Sequence, residues 1–318
     1  MKIAISIPIH EAIDVACDQA NNLNAYIRNP VIIFHASKAL ESNEQLKELA
    51  KKKNVIVNPV HLKTDWGNIV EAHISNFKYL DMHTDFDYFM MHSSNDMYVR
   101  TGVDDYLSQY EAGFNFRKID DVDSLWVVAA PAREDRVLQR LCGGETAYAS
   151  QIEGSFYARN LMRKIVNRLE TEMPFEETEV LYTREELFFS SIAAAFVEED
   201  KVGRPTTFSE VHRFDRIFQK YSKTSNRIFC EQDSRFRTIL DDLFRRVLFR
   251  SKIYAITRKD VDEIRGRNVS YIQKNGIVDD GQGKIYLYDG ANVFSVKRVP
   301  RSTNNRLRKY INQLKVER

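Results

Sequence analysis

Cysteine is scarce: Cys17, Cys142 and Cys230 stand far apart, with no CxxC or Cys/His spacing. This argues against a disulfide framework and a structural zinc site, and predicts a reducing, cytoplasmic compartment. Glycine (12) and proline (7) are also few in 318 residues, which leaves no room for a collagen-like, all-turn or low-complexity architecture. Long apolar runs are missing. The opening MKIAISIPIH breaks at Pro8 and His10, too soon for a signal peptide or a membrane span, and reads as a first β-strand. There is no internal repeat and no Gly/Ser linker, so one compact unit is expected.

The phosphate-binding and hydrolytic motifs are absent as well. No GxxxxGK[ST] occurs, and the one GxG, Gly281 to Gly283, leads into a predicted strand rather than a helix. His10 opens HEAID, which fails the HExxH zinc pattern, and no GxSxG elbow is present. P-loop NTPases, standard dinucleotide enzymes, metalloproteases and α/β-hydrolases are therefore set aside, and nucleotide-sugar chemistry remains.

What the chain does have is a divided charge. The formal net charge is +2, yet residues 1–200 carry 20 Lys and Arg against 32 Asp and Glu, while residues 201–318 carry 27 against 13. The basic C-terminal segment could hold a ligand phosphate, the acidic part of its own chain, nucleic acid or an anionic membrane. We expect an acidic core over 1–200 and a basic segment over 201–318 packed on it.

Apolar β-like segments at 2–9, 31–35, 54–60 and 86–92 alternate with helix-like stretches at 37–53 and 68–80, the pattern of a largely parallel, Rossmann-like α/β sheet flanked by helices. Further on, the sequence predicts a helix at 103–110, strands at 124–130 and 153–159, and helices from Leu161 and from about Arg184. Beyond Phe196 it predicts a charged helix at 235–250 and short strands at 252–256, 284–288 and 292–297.

The fourth strand ends in the polar turn His92-Ser93-Ser94-Asn95-Asp96. In such sheets ligands sit beyond the carboxyl ends of the strands. A DxD, Asp85-Phe86-Asp87, precedes the same strand, which puts it at the wrong end of the sheet for a metal on a donor diphosphate, so it is expected to be solvated.

Five motifs in one order resemble the core-2/I-branching β-1,6-N-acetylglucosaminyltransferases and their xylosyltransferase relatives, which have the GT-A fold. They are Trp66-Gly67; Asp87-Tyr88-Phe89 followed by Ser93-Ser94-Asn95-Asp96; Gly154-Ser155-Phe156-Tyr157; Glu185-Glu186-Leu187-Phe188-Phe189; and Phe294-Ser295-Val296-Lys297-Arg298. The chain departs from the pattern at Ser94, where the family has Gly, at Arg184, where it has Pro, and after Met97, which no Pro follows.

The resemblance implies that Glu186, with Glu185 as the alternative one residue away, is a catalytic base that takes the proton of the acceptor hydroxyl. Thr183-Arg184-Glu185-Glu186 also reads as a T-x-x-E capping box, in which Glu186 would only bind backbone. Lys297 and Arg298 would neutralise the leaving diphosphate, as fixed cations can do where a metal ion is lacking. His10, beside Glu11, and Asp96 would contact the donor, although Asp96 could equally hold its own turn. Trp66 and Glu153 would face the acceptor.

The implied activity is inverting, metal-independent transfer of a sugar, most plausibly N-acetylglucosamine from its UDP donor, to a glycan hydroxyl. Neither cofactor nor metal is expected. Animal members of the family carry an N-terminal anchor, whereas this chain opens on a strand, which points to a bacterial enzyme of surface polysaccharide synthesis. The tail, 301–318, has six basic residues around Leu307, Tyr310, Ile311 and Leu314 at helical spacing. It is expected either to lie on an anionic membrane at its inner face, near lipid-linked acceptors, or to cap the domain. The alternative reading is a non-catalytic sugar- or nucleic-acid-binding protein, and nucleic acid is disfavoured by the acidic 1–200 region and by the lack of RNP, KH or zinc-finger signatures.

Overall fold

The computed structural model describes residues 1–10, 12–64, 67–119, 129–143, 146–177, 182–209, 255–279 and 284–316, with isolated helical positions between 217 and 251. Trp66, Glu11 and most of the predicted 124–130 strand and 235–250 helix lie outside the described residues.

The strands are β1 (Ile3–Ile9), β2 (Pro30–Ala36), β3 (Val55–Val57), β4 (Tyr88–Met91), β5 (Met97–Tyr98), β6 (Ala112–Gly113), β7 (Phe156–Ala158), β8 (Val202–Gly203), β9 (Thr207–Phe208), β10 (Ile277–Asp279), β11 (Lys284–Tyr286) and β12 (Ser295–Val296). The helices are α1 (Ile13–Tyr26), α2 (Leu46–Ala50), α3 (Val70–His83), α4 (Val103–Leu107), α5 (Ala129–Glu134), α6 (Arg136–Leu141), α7 (Arg159–Glu170), α8 (Phe188–Ala194), α9 (Arg258–Arg265), α10 (Val269–Asn275) and α11 (Arg306–Gln313).

A seven-stranded sheet runs β3-β2-β1-β4-β7-β6-β8. β1 to β4 are parallel to one another, and β7 is antiparallel to both β4 and β6. This is the largely parallel, helix-flanked α/β fold that the alternation predicts. All seven residues of β1 and all seven of β2 are buried, which explains why they read as continuous apolar runs. Successive side chains still divide between the faces. Ile3, Ile5, Ile7 and Ile9 pack with α1 and α2, while Ala4 joins α3, α7 and α8 on the other side.

Several expected elements differ. The 37–53 stretch does not form one helix: a 3₁₀ turn, Lys38–Leu40, is followed by the short α2. The two pieces are separated by Ser42-Asn43-Glu44, where Asn43 accepts from the Gln45 N–H at 2.9 Å and so competes with helix continuation. At the end of the predicted 124–130 strand, Ala129 and Ala130 begin α5. Ala255 and Ile256, at the end of the predicted 252–256 strand, instead lead into α9, with Thr257 as its capping-box residue; 252–254 lie outside the described residues.

The basic C-terminal segment does not extend the main sheet through β12. β12 is the centre of a separate three-stranded sheet, antiparallel to β5 and parallel to β9. Because β5 follows directly on the 92–96 turn, this small sheet carries residues 297–299 to the carboxyl edge of β4. The tail forms α11, whose Leu307 and Ile311 are buried in a third core with α9 and α10.

Candidate active site

The turn after β4 is braced from beneath. Gln19 of α1 donates to the carbonyls of Ser93 (2.7 Å) and Asp96 (3.1 Å), and Asn22 exchanges hydrogen bonds with the Tyr98 backbone at 2.7 and 2.9 Å. Asp96 turns inward. Its Oδ2 accepts from the Ser93 N–H at 3.0 Å and lies 3.1 Å from His92 Nδ1, so this oxygen holds its own turn. Its Oδ1 is buried and has no hydrogen-bond partner among the described residues. Burial raises the Asp96 carboxyl above its ordinary range, against the lowering influence of His92.

Glu153 reaches this turn because of its neighbour. Gly154 has φ 76°, and a Cβ there would lie 2.4 Å from Thr207 Oγ1 and 2.5 Å from Thr207 N. Only glycine allows the chain to pass this close to β9 while its N–H binds the Met91 carbonyl at 2.8 Å and its carbonyl accepts from the Thr206 N–H at 2.9 Å. Thus placed, Glu153 accepts from Ser93 Oγ at 2.6 Å through Oε1, and its Oε2 lies 2.6 Å from Lys297 Nζ. The two side chains of this ion pair are 7% and 12% exposed. Burial opposes ionisation of Glu153, but the Lys297 ammonium outweighs it and holds the carboxyl down at about 2.

Lys297 and Arg298 are delivered by two backbone clamps. The Lys297 N–H binds the Phe208 carbonyl at 2.9 Å, and the Val299 N–H binds the Asn95 carbonyl at 3.0 Å. Between these fixed points Arg298 adopts φ 67°, a left-handed conformation unusual for a residue with a side chain. Strain of this sort persists only where surrounding contacts over-determine it, and it concentrates at functional sites.

Glu185 and Glu186 complete the cluster. They lie in a 3₁₀ turn, Arg184–Glu186, closed by the Glu186 N–H on the Thr183 carbonyl at 3.0 Å. The Thr183 side chain makes no cap there, so the reciprocal capping box is incomplete, although the Glu186 carboxyl still contacts Thr183. The turn is tied to the Glu153 loop by the Ser150 N–H on the Glu186 carbonyl at 2.8 Å. Glu186, half-buried, is pushed up to about 7 by burial; Lys297 pulls it down and Glu153 pushes it up. Glu185 is buried, with Oε2 unpartnered, and is pushed up to about 8 by burial and then by the charge of Glu186.

Five of the residues named from sequence, Glu153, Glu185, Glu186, Lys297 and Arg298, therefore form one electrostatic cluster beside the Asp96 turn. His10 stands exposed at the end of β1 on the same edge of the sheet. Trp66 lies outside the described residues, next to Gly67 with φ 77°. Sequence reasoning missed Gln19, Asn22 and the individual role of Ser93. The polar Gln19 and Asn22 on the core side of α1 were a readable signal.

Asp85 and Asp87 sit at the opposite edge. Asp85 pairs with Arg159 at 2.6 Å and is 95% exposed, and Asp87 accepts from the Lys2 N–H at 2.6 Å. This is the solvated start of a strand, as its position predicts. Among the described residues no group of three or more His, Cys, Asp or Glu is arranged to hold a metal ion. A cleft of about 490 Å³ lies elsewhere, near the start of β2, lined among others by Tyr26, Arg28, Asp104 and Arg267. Its Arg28 is already engaged with Asp104 and Asp105, and none of the clustered carboxylates lines it.

No family profile matches the chain, and no curated protein sequence does. Among solved structures it is similar to the galactosyltransferase LgtC in complex with donor and acceptor sugar analogues, at 11% identity over 64% of this chain and 73% of that one, with a TM-score of 0.37. It is also similar to 4-diphosphocytidyl-2C-methyl-D-erythritol synthase from Anaerococcus prevotii DSM 20548, at 13% identity over 64% and 85%, TM-score 0.37. These are distant likenesses of outline, and the chemistry of the site rests on its own geometry.

Proposed function

We propose that the chain is a GT-A-like glycosyltransferase that moves a sugar from a nucleotide-sugar donor to a glycan hydroxyl. The observation that carries this reading is that Glu186, tied to the Glu153 loop by the Ser150 N–H on its carbonyl at 2.8 Å and with its carboxyl raised by burial, lies within electrostatic reach of Lys297 and Arg298 beside the turn that ends β4. A base whose proton leaves near neutral pH is matched to activating a hydroxyl. Two cations on a clamped backbone suit the negative charge that develops on a leaving diphosphate.

In this mechanism Glu186 takes the acceptor proton as the acceptor oxygen attacks the anomeric carbon, and the nucleoside diphosphate leaves toward Lys297 and Arg298 with inversion. Glu186 is favoured over Glu185 because it is the less buried of the two. Asp96 shapes the turn on which the donor would rest, and His10 would meet the donor from the end of β1. Fixed cations take the place of a metal in this reading, since the DxD that precedes β4, Asp85-Phe86-Asp87, lies at the far edge of the sheet. The sequence resemblance supports UDP-N-acetylglucosamine as donor and a glycan hydroxyl, free or lipid-linked, as acceptor, and the scarce cysteines fit a reducing, cytoplasmic compartment.

Membrane contact has narrower support. The apolar stripe of α11 is covered by the protein's own core, so contact of the tail with an anionic inner leaflet would rest on exposed basic residues, which among the described residues are Arg301, Arg306, Lys309 and Lys315. No helix among the described residues is long and apolar enough to cross a membrane. The test is UDP release from a panel of UDP-sugars with and without methyl glycosides as acceptors. Acceptor-stimulated release supports the reading, and nucleotide-sugar binding without turnover would favour a sugar-binding protein instead.

A further inference from the structure

We propose that Glu153 is a positioning residue for Lys297 rather than a ligand of the acceptor, and that it clamps the ammonium against the strand-end turn so that the remaining N–H groups face the donor diphosphate. This rests on the transferase reading above and assigns a role within that site.

Oε1 of Glu153 accepts a hydrogen bond from Ser93 Oγ, and its buried Oε2 is ion-paired with Lys297 Nζ without hydrogen-bond geometry, each at 2.6 Å. Buried between them, the carboxylate is poorly placed to receive a sugar hydroxyl. An ammonium has three donors, so one contact with Glu153 leaves two for a ligand. Lysine is a compact charge on a flexible four-carbon stem, and a cation that must find its place during the reaction stabilises a developing charge less than one already fixed.

The backbone closes the clamp into a ring. From Ser93 the path runs to Glu153, to Lys297, through Arg298 to the Val299 N–H, and back to the Asn95 carbonyl in the same turn. A carboxylate serving only to pair a surface lysine would need none of this. Here the ring joins the donor turn, the Glu153 loop and the tail strand β12 through one ion pair.

The experiment is a double-mutant cycle of wild type, Glu153→Gln, Lys297→Met and the pair, using the UDP-sugar and methyl glycoside that turn over fastest in the wild type. With Lys297 present, Glu153→Gln should lower kcat about tenfold, leave the acceptor KM within about twofold, and add less than about twofold in the Lys297→Met background. Equal losses in both backgrounds, a raised acceptor KM, or a faster enzyme would overturn the proposal. If one single variant unfolds, the cycle cannot be closed and a charge-conserving substitution takes its place. In that event Glu153→Asp, which keeps the charge on a shorter arm, should give an intermediate kcat, and a wild-type value would count against the clamp. A wild type that turns over no UDP-sugar would defeat the transferase reading itself, whereas an active wild type with additive variants defeats only the clamp.

Discussion

Replacing Glu186 by Gln should make the protein more stable and nearly inactive, with a gain in stability that is absent near pH 4.5, builds between pH 4.5 and 7 and levels off above that. In the unfolded chain a glutamate gives up its proton near its ordinary value of 4.5, whereas the folded protein keeps the Glu186 proton to about 7. Between these values the native state binds more protons, so this residue's contribution is most favourable below pH 4.5 and is lost as the pH rises through 7. The pH interval corresponds to on the order of 3 kcal/mol. Glutamine resembles the protonated carboxyl and carries no such dependence.

At pH 8 the Glu186→Gln protein should therefore melt higher, by about 4 °C for a cooperative unit of this size. At pH 4.5 the two proteins should melt together. Its partner Glu185, held up to about 8 partly by the charge of Glu186, should ionise at lower pH in the variant and reinforce the gain. Turnover should fall ~100-fold or more, and in the wild type kcat/KM should rise with pH through about 7. Calorimetric melting across pH 4.5 to 8 checks the first part. A variant less stable than wild type at pH 8, or one with near-normal turnover, would refute the reasoning. Loss of activity in Glu185→Gln alone would move the base by one residue.

If fixed cations rather than a metal meet the leaving group, as the proposed function has it, the paired substitution Asp85→Ala/Asp87→Ala and treatment with EDTA should leave turnover within about twofold; activity that vanishes with EDTA and returns with manganese would restore a metal-dependent donor site. Arg298→Gly relieves a left-handed φ at a cost of roughly 1 kcal/mol, so it should keep or slightly raise the melting temperature while kcat drops, and a marked loss of stability would show that the side chain is structural. Ending the chain after Pro300 removes Leu307 and Ile311 from the third core, a loss of roughly 2 kcal/mol each, and strips Asp18 of its 2.5 Å partner Arg308. Soluble yield should fall sharply, and a well-folded truncated protein that no longer sediments with anionic vesicles would favour the membrane reading.

How far the sequence could be read depends on whether a feature's partner lies nearby in the chain. β1, β2 and β4 were legible because a strand buried on both faces must be apolar throughout, and turn residues mark its ends. The same reasoning placed Asp85 and Asp87 correctly, since the direction of β4 decides which edge they occupy. The stripe on α11 was legible as a stripe, but periodicity does not distinguish a core from a lipid surface; burial of Ile311 at 1% and the Arg308–Asp18 pair do. Motif order brought Glu153, Glu186, Lys297 and Arg298 into one list, yet it could not show that Lys297 is bound to Glu153. That pairing follows from β12 lying between β5 and β9 with Val296 opposite Met97, which sets Lys297 next to the Asp96 turn. It also explains the divided charge. Under the proposed function, the Glu185 and Glu186 carboxyls of the acidic 1–200 region could work beside a diphosphate only with cations brought from elsewhere, and the basic segment brings Lys297 and Arg298 on a strand whose register is tied to the 92–96 turn.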